Sequence, residues 1–308
     1  MDDLYTEGYE ELLAGLAGHP NMEVRVTNPF AYRKARGANF ISDLERVNHR
    51  MHNKSVTFDN AVTVFGGRNM AEEYFGASEA FNFRDIDTVG FGQVARDVSR
   101  EFDTYWNAAE SLPVEAFVEA DASEQARRAL LEDYESVLAS VADSPYGAAL
   151  REALVEVLLD GRESDLEWAP ATVAYDLPYG GRTPEGEAGP TMLAQDIRQV
   201  VEQAESEFFL VSPYFVVGTS GLEFFRALRS RGVRVVVVTN SLASNDVAMV
   251  YGGYSKYRTQ LLELGVELWE VMAFPLKSGY EKGLASESRG LHAKTFAFDR
   301  QKLFIGSV

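Results

Sequence analysis

Two histidines in this chain are each followed by the same residues at the same distances. From His52, a lysine stands two positions on (Lys54), an aspartate seven on (Asp59) and a glycine fourteen on (Gly66). From His292, the same intervals reach Lys294, Asp299 and Gly306. A small residue follows each glycine, Gly67 in the first copy and Ser307 in the second. Three such matches after a given histidine arise by chance on the order of once in several thousand trials. Residues two apart on a strand share a face, so each copy offers one imidazole beside one ammonium group. Two such pairs suit phosphoryl chemistry without a metal. One imidazole attacks phosphorus, the other protonates the leaving alcohol, and the lysines hold the nonbridging oxygens as charge grows. Histidine serves both roles because it titrates near neutrality. Neither copy holds both partners, so the two must meet.

The aspartates fall at turns, in "FDN" and "FDR", where a carboxylate can bond nearby backbone amides. Turn chemistry alone would account for them, and so would a place in the catalytic set. The glycines at the end of each returning strand would let a ligand approach the backbone closely.

These hairpins need elements to hold them, and the sequence supplies two α/β regions. "GYEELLAGLA" (8–17) has helical spacing, "MEVRVTNPF" alternates as a strand, and residues 55–65 read as a hairpin. "DIDTVGFG" follows as a strand and "QVARDVSREFDTYWNA" as an amphipathic helix. From 107 to 190 the chain is rich in Ala, Glu and Ser, with helical periodicity that ends in the Gly/Pro-rich "LPYGGRTPEGEAGP". Then comes the helix "LAQDIRQVVEQAESE". The apolar runs "FFLVSPYF" and "VRVVVVTN" alternate after it with helices over 221–232 and 253–265, and a last hairpin covers 294–305. Continuous apolar strands between helices predict a sheet covered on both faces. The organisation predicted is a first lobe over 1–106, a helical connector over 107–190 and a second lobe over 191–308.

At 308 residues and 46% hydrophobic content, the chain can bury substantial cores. Its formal net charge of -18 sets a repulsive background for anionic substrates, which a local basic site must overcome, and argues against nucleic acid as a partner. Acidity of this degree fits a salty cytoplasm as well as ordinary solubilising charge. There is no cysteine, which excludes thiolate nucleophiles and zinc–thiolate sites. No run approaches the roughly 18 apolar residues of a membrane span.

The pattern His-x-Lys, four residues, Asp, six residues, Gly-Gly or Gly-Ser resembles the HKD motif of the phospholipase D superfamily. The stretches "NHRMHNKS", "GGRNMAEEYFGA", "FRDIDTVGFG", "VSPYFV" and "TNSLASNDV" are similar to those of bacterial cardiolipin synthases, of the C type in particular. The resemblance implies two similar α/β/α sandwich lobes with mixed sheets and an active site at the lobe interface. It implies that His52 is the nucleophile, carrying a phosphatidyl group as phosphohistidine, and that His292 is the general acid and then base. Asp59 and Asp299 belong to the catalytic motif. Lys54, Lys294 and Asn69 would bind phosphate, with Gly66, Gly67, Gly306 and Ser307 beside them. Asp85 would orient the first histidine, with Asp87 as second choice. No metal or cofactor is implied. The partners would be phospholipids, phosphatidylglycerol and then phosphatidylethanolamine, met by peripheral contact at the bacterial cytoplasmic membrane.

In the family an asparagine follows the second Gly-Ser by two positions, as Asn69 follows Gly67, whereas this sequence stops at Val308. The chain therefore reads as a piece cut inside both lobes, with the carboxylate for His292 expected beyond its end. Two other functional readings stand beside phosphatidyl transfer: the same chemistry with water as acceptor, and an inactive phospholipid-binding remnant. Weaker signals are "GFGQVA" (90–95), which mimics a dinucleotide fingerprint without its ribose-binding acid, and His49, three residues from His52. The basic loop "FAYRKARGANF" (30–40), with Arg33, Lys34, Arg36 and later Arg46, reads as a solvated loop or a lipid-headgroup contact.

Overall fold

The structure is a computed structural model that describes residues 1–42, 50–78, 80–118, 123–144, 147–148, 151, 167–178, 192–273 and 289–307. The chain forms two compact units, one of Met1–Asn53, Gln93–Gly147 and Glu167–Gln195, the other of Lys54–Gly92, Ala148–Leu166 and Asp196–Val308.

In the first unit, helix α1 (Glu10–Ala17) packs Leu13 against Val26 of strand β1 (Arg25–Thr27) and against Val114. Strand β1 pairs antiparallel with β6 (Ser111–Pro113), and Thr27 and Ser111 join their hydroxyls at 2.8 Å. The basic loop leads into the short helix α2 (Arg36–Ser42) and turns inward. Arg33 Nη2 lies 3.1 Å from the fully buried Asp3 carboxylate, and Arg36 reaches the same carboxylate at 3.7 Å and Glu10 at 3.5 Å. A buried carboxylate demands such partners, so these two arginines hold the fold and do not form the headgroup contact the sequence suggested. Arg46 and His49 lie outside the described residues. Helix α3 (Gln93–Trp106) buries Ala95, Val98, Glu101 and Tyr105 along one face. Burial raises the Glu101 carboxyl, and Asn53 donates to it. Helix α4 (Glu124–Ala142) falls in the stretch read as helical; Ser123 caps it by accepting from the Ala126 N–H at 3.1 Å. The helix expected over 147–159 and the Gly/Pro-rich loop over 177–190 lie largely outside the described residues.

Among the described residues, the second unit holds three sheets. Strands β2 (Ser55–Phe58), β3 (Val62–Gly66) and β5 (Asp87–Phe91) form an antiparallel sheet in the order 2-3-5. Strands β7 (Glu207–Val211), β8 (Arg234–Asn240), β9 (Glu267–Val271), β11 (Lys294–Phe298) and β12 (Lys302–Gly306) form a mixed sheet in the order 12-11-7-8-9. Strands β7, β8 and β9 run parallel, and β11 and β12 return antiparallel. Between the parallel strands the chain winds through α6 (Gly218–Ser230) and α7 (Ala248–Glu263), with α5 (Met192–Glu202) before β7. The core gathers Phe208, Phe225, Leu228, Val235, Val237 and Tyr254. Val235, Val236 and Val237 are all buried although they alternate in direction, as the unbroken apolar run predicted for a strand covered on both faces.

The third sheet joins the two repeat copies. Strand β4 (Asn82–Arg84) pairs in parallel with β10 (Arg289–Leu291), bringing the segment after the first hairpin beside the segment before the second. From Lys54 onward, both hairpins belong to the same unit. The chain crosses between units at Asn53–Lys54 and again at Gly92–Gln93, inside the stretch read from sequence as one lobe. In "GFGQVA", Gly92 has φ +72° and sits at the second of these crossings.

Candidate active site

The two hairpins share a construction. In each, a two-residue turn carries positive φ at both positions, Asp59 (51°) with Asn60 (55°), and Asp299 (53°) with Arg300 (58°). These are type I′ turns, which match the twist of the flanking strands and favour Asp and Asn. Phe58 O accepts from the Ala61 N–H and Phe298 O from the Gln301 N–H, both at 2.9 Å. The turn fixes the register, so Lys294 faces Gly306 across the second hairpin.

His292 stands in the two-residue link between β10 and β11, and the backbone around it is tightly held. Its N–H donates to Arg84 O at 2.7 Å, and that of Ala293 to the same oxygen at 3.2 Å. The buried Asn240, at the end of β8, clasps Leu291 from both sides of its amide: Oδ1 accepts from the Leu291 N–H and Nδ2 donates to Leu291 O, each at 2.8 Å. The imidazole is thereby presented by rigid backbone.

Around the ring, Asp85 accepts from Nδ1 at 2.7 Å, with both side chains buried. This bond fixes the tautomer and leaves Nε2 for chemistry. Nε2 lies 3.5 Å from the Tyr74 hydroxyl, which accepts from Asn69 Nδ2 at 2.9 Å. The Tyr74 and Phe83 rings meet the imidazole at centroid distances of 5.0 and 5.1 Å. Lys294 Nζ donates to His292 O at 3.0 Å and lies 3.2 Å from Nε2. Burial lowers the Lys294 ammonium to about 8, against the opposing pull of Asp85 and Asp246. Burial likewise lowers Lys54 to about 8, helped by repulsion from Lys294 and countered by Asp85. One lysine from each copy, one histidine and one carboxylate thus share a water-poor site.

The carboxylate assigned by resemblance to the first histidine therefore bonds the second. The reason is the β4–β10 pair, which runs Arg84 alongside Leu291 and delivers the next residue, Asp85, to His292. Asp87, the second choice, is taken by Arg68, whose guanidinium also donates to Tyr74 O at 3.1 Å and Asp85 O at 3.0 Å. The glycines after the first hairpin acquire a specific reason. A Cβ on Gly67 would stand 2.3 Å from Asp85 Oδ1, and one on Gly66 would stand 2.2 Å from Asp87 Oδ1. The close approach they permit is by these carboxylates.

The motif aspartates stand elsewhere. Asp299 is a full strand away from Lys294, roughly 16 Å at about 3.3 Å per residue. Its carboxylate accepts from the N–H groups of Glu205 (3.0 Å), Ser206 (2.7 Å) and Glu207 (2.9 Å), which hold it far below the usual carboxylate range. Asp59 occupies the matching turn of the first hairpin. Both are turn residues, as local turn chemistry allows, and neither lies at the His292 end of the structure. His52 is exposed and lies in the first unit, one residue before the crossing. Sequence reasoning missed Tyr74 and Asn240. The only signal of the latter was a polar Asn240 at the end of the strand built around four consecutive valines.

A duplicated His-x-Lys hairpin, a carboxylate-held imidazole and two lysines lowered by burial, on an α/β frame, are the features that the resemblance to the phospholipase D superfamily implies. Residues 197–308 match the family described as "Cardiolipin synthase, PLD-like domain". Over an alignment of 321 residues taking in 100% of this chain, it is 35% identical to cardiolipin synthase C of Escherichia coli (strain K12), of which it spans 65%. It is 24% identical to a cardiolipin synthase of Listeria monocytogenes serotype 4a over 85% of this chain and 42% of that protein. Phosphatidylserine synthase of Haemophilus influenzae Rd KW20 aligns structurally with 81% of this chain and 51% of its own, at 14% identity and a TM-score of 0.44. The chain thus spans less than two thirds of the length of these relatives.

Proposed function

We propose that this protein transfers a phosphatidyl group from phosphatidylglycerol to the hydroxyl of a second phospholipid, as a cardiolipin synthase. In the first half-reaction an imidazole nitrogen of His52 attacks phosphorus. The P–O bond to glycerol breaks as the P–N bond forms, and protonated His292 delivers its Nε2 proton to the departing glycerol oxygen. In the second half, neutral His292 takes the proton of the incoming lipid hydroxyl, whose oxygen attacks phosphorus and displaces His52. Lys54 and Lys294 balance the nonbridging oxygens. Asn69 has a second amide N–H beyond the one given to Tyr74, and offers it to phosphate, with Gly306 and Ser307 alongside.

The observation that carries this reading is His292 fixed through Nδ1 by Asp85, with Nε2 directed away from that bond beside Lys294. An acid needs a defined proton-bearing nitrogen, and a phosphate needs cations that water does not screen. The work is done at the cytoplasmic membrane by peripheral contact, and no described helix is long and apolar enough to cross a bilayer. The test is incubation of the purified protein with labelled phosphatidylglycerol, with and without phosphatidylethanolamine, followed by product identification. Cardiolipin plus free glycerol is the expected outcome. Phosphatidic acid as the sole product, insensitive to an added lipid acceptor, would establish hydrolysis and defeat the proposal.

A further inference from the structure

His292 is held through the residue on each side of it. The Leu291 N–H donates to Asn240 Oδ1 at 2.8 Å, and the Ala293 N–H to Arg84 O at 3.2 Å. His52 has a matching pair of attachments, made by different residues. On its near side the Met51 N–H, counterpart of Leu291, also donates to a side-chain oxygen, Asp2 Oδ2, at 2.8 Å. Asp2 is fastened in turn: Oδ1 accepts from the Leu4 N–H at 2.8 Å and from Arg50 Nη1 at 3.1 Å.

On the far side, the first copy has Asn53 where the second has the small Ala293. Asn53 Nδ2 donates to the carboxylate of Glu101, a residue of α3 that is 5% exposed. One turn further along the buried face of that helix, Tyr105 donates to Asp176 O at 2.8 Å and braces it. All of these residues belong to the first unit, which ends this stretch of chain at Asn53. Residues 50–53 lie outside any helix or strand, so no backbone ladder fixes them.

We propose that Asp2 and Glu101 are positioning residues for His52, clamping its two chain neighbours so that an exposed imidazole keeps one attacking geometry. Attack on phosphorus needs the reacting atoms aligned and in near contact, and a misplacement of about 1 Å costs on the order of 10²-fold in rate. A buried carboxylate is costly unless hydrogen-bonded, so Glu101 keeps its hold on Asn53. Being an acceptor only, an ionised Glu101 also fixes which way round the Asn53 amide stands. The inference rests on the proposed role of His52 as nucleophile.

The test takes two readouts on the full chain. One is the pre-steady-state burst with a phosphodiester whose leaving group is p-nitrophenolate, which reports attack by His52 without acid assistance. The other is the ring Cε1–H resonance of His52 in protein carrying isotope-labelled histidine, assigned through His52→Gln. Glu101→Ala and Asp2→Ala are each expected to slow the burst by roughly tenfold to a hundredfold. Each is also expected to shift and narrow the His52 resonance while that of His292 stays in place. Glu101→Gln keeps an acceptor for Asn53 and is expected to restore both readouts, the rate to within about threefold of wild type. Asn53→Ala is expected to match Glu101→Ala, and the two combined to lose no more than either. Thermal melts verify folding, and Asn53→Ala carries the test if Glu101→Ala does not fold, since alanine already stands at that place in the second copy. A lowered melting temperature with burst and His52 resonance both at wild type would make the network merely structural and overturn the inference. So would a Glu101→Gln that does no better than Glu101→Ala. A wild type that gives no burst, with a His52 resonance that still answers to Glu101, defeats the proposed reaction and supports the clamp.

Discussion

At one end of the second hairpin, His292 and Lys294 are buried, and the imidazole is bonded to a carboxylate and flanked by aromatic rings. At the other end, Asp299 faces solvent in part and spends its carboxylate on three backbone N–H groups. The same seven-residue interval thus joins two settings with different work. Where water is scarce, a charged group is poised for chemistry, since its ionic partners are few and unscreened. Where donors are plentiful and local, a carboxylate staples the chain. Repetition of an interval in sequence therefore marks a repeated frame, and the roles within it have to be read one residue at a time.

The contrast breaks most sharply at the histidines. His52→Ala and His292→Ala are each expected to lower phosphatidyl transfer by at least about 10³-fold while folding is retained, measured by cardiolipin formation. Next comes their support. Asp85→Asn leaves the ring without its anionic partner, and Gly67→Ala drives a methyl into that carboxylate, so each is expected to cost on the order of 10²-fold in kcat. The two share one target, and combining them in a double-mutant cycle should yield far less than the product.

The lysines sharpen the comparison through pH. Both ammonium groups are lowered to about 8, so phosphate binding by the free protein weakens as pH rises through that value. The basic limb of kcat/KM is expected near pH 8, and near 10 only if the two lysines were solvated. The sign for stability is opposite. Between about 8 and 10.5 the unfolded chain binds more protons at these positions, so their contribution to stability rises with pH. A pH titration of kcat/KM beside thermal melts checks both.

Asp299→Ala is expected to do the reverse of the histidine changes: about 1–3 kcal/mol of stability lost by denaturant unfolding, with transfer per folded molecule unchanged. Because the native carboxyl is held below its ordinary 3.8, the wild-type advantage is complete above that pH and fades as pH falls below it.

Much of this frame was legible. The hairpins, the valine strand β8 and the helices around it follow from periodicity and turn chemistry, because burial there is regular. The β4–β10 pair was not: three residues each, including Asn82, Arg289 and Gly290, carry no apolar pattern, and their pairing is non-local. Nothing but the resemblance then pairs Asp85 with a histidine, and it points to the first one, whereas the β4–β10 pair delivers it to the second. Tyr74 and Asn240 went unseen for the same reason, since each acts across more than 50 residues.

The central claim is that Asp85 and His292 form the acid of the first half-reaction, distinct from the attacking His52. The direct measurement is the pre-steady-state burst with a phosphodiester whose leaving group is p-nitrophenolate, which departs without protonation. Asp85→Asn and His292→Ala are predicted to keep a burst within about tenfold of wild type while glycerol release from phosphatidylglycerol collapses, and His52→Ala to lose both. A burst abolished by Asp85→Asn as completely as by His52→Ala would assign the carboxylate to the nucleophile and contradict the account.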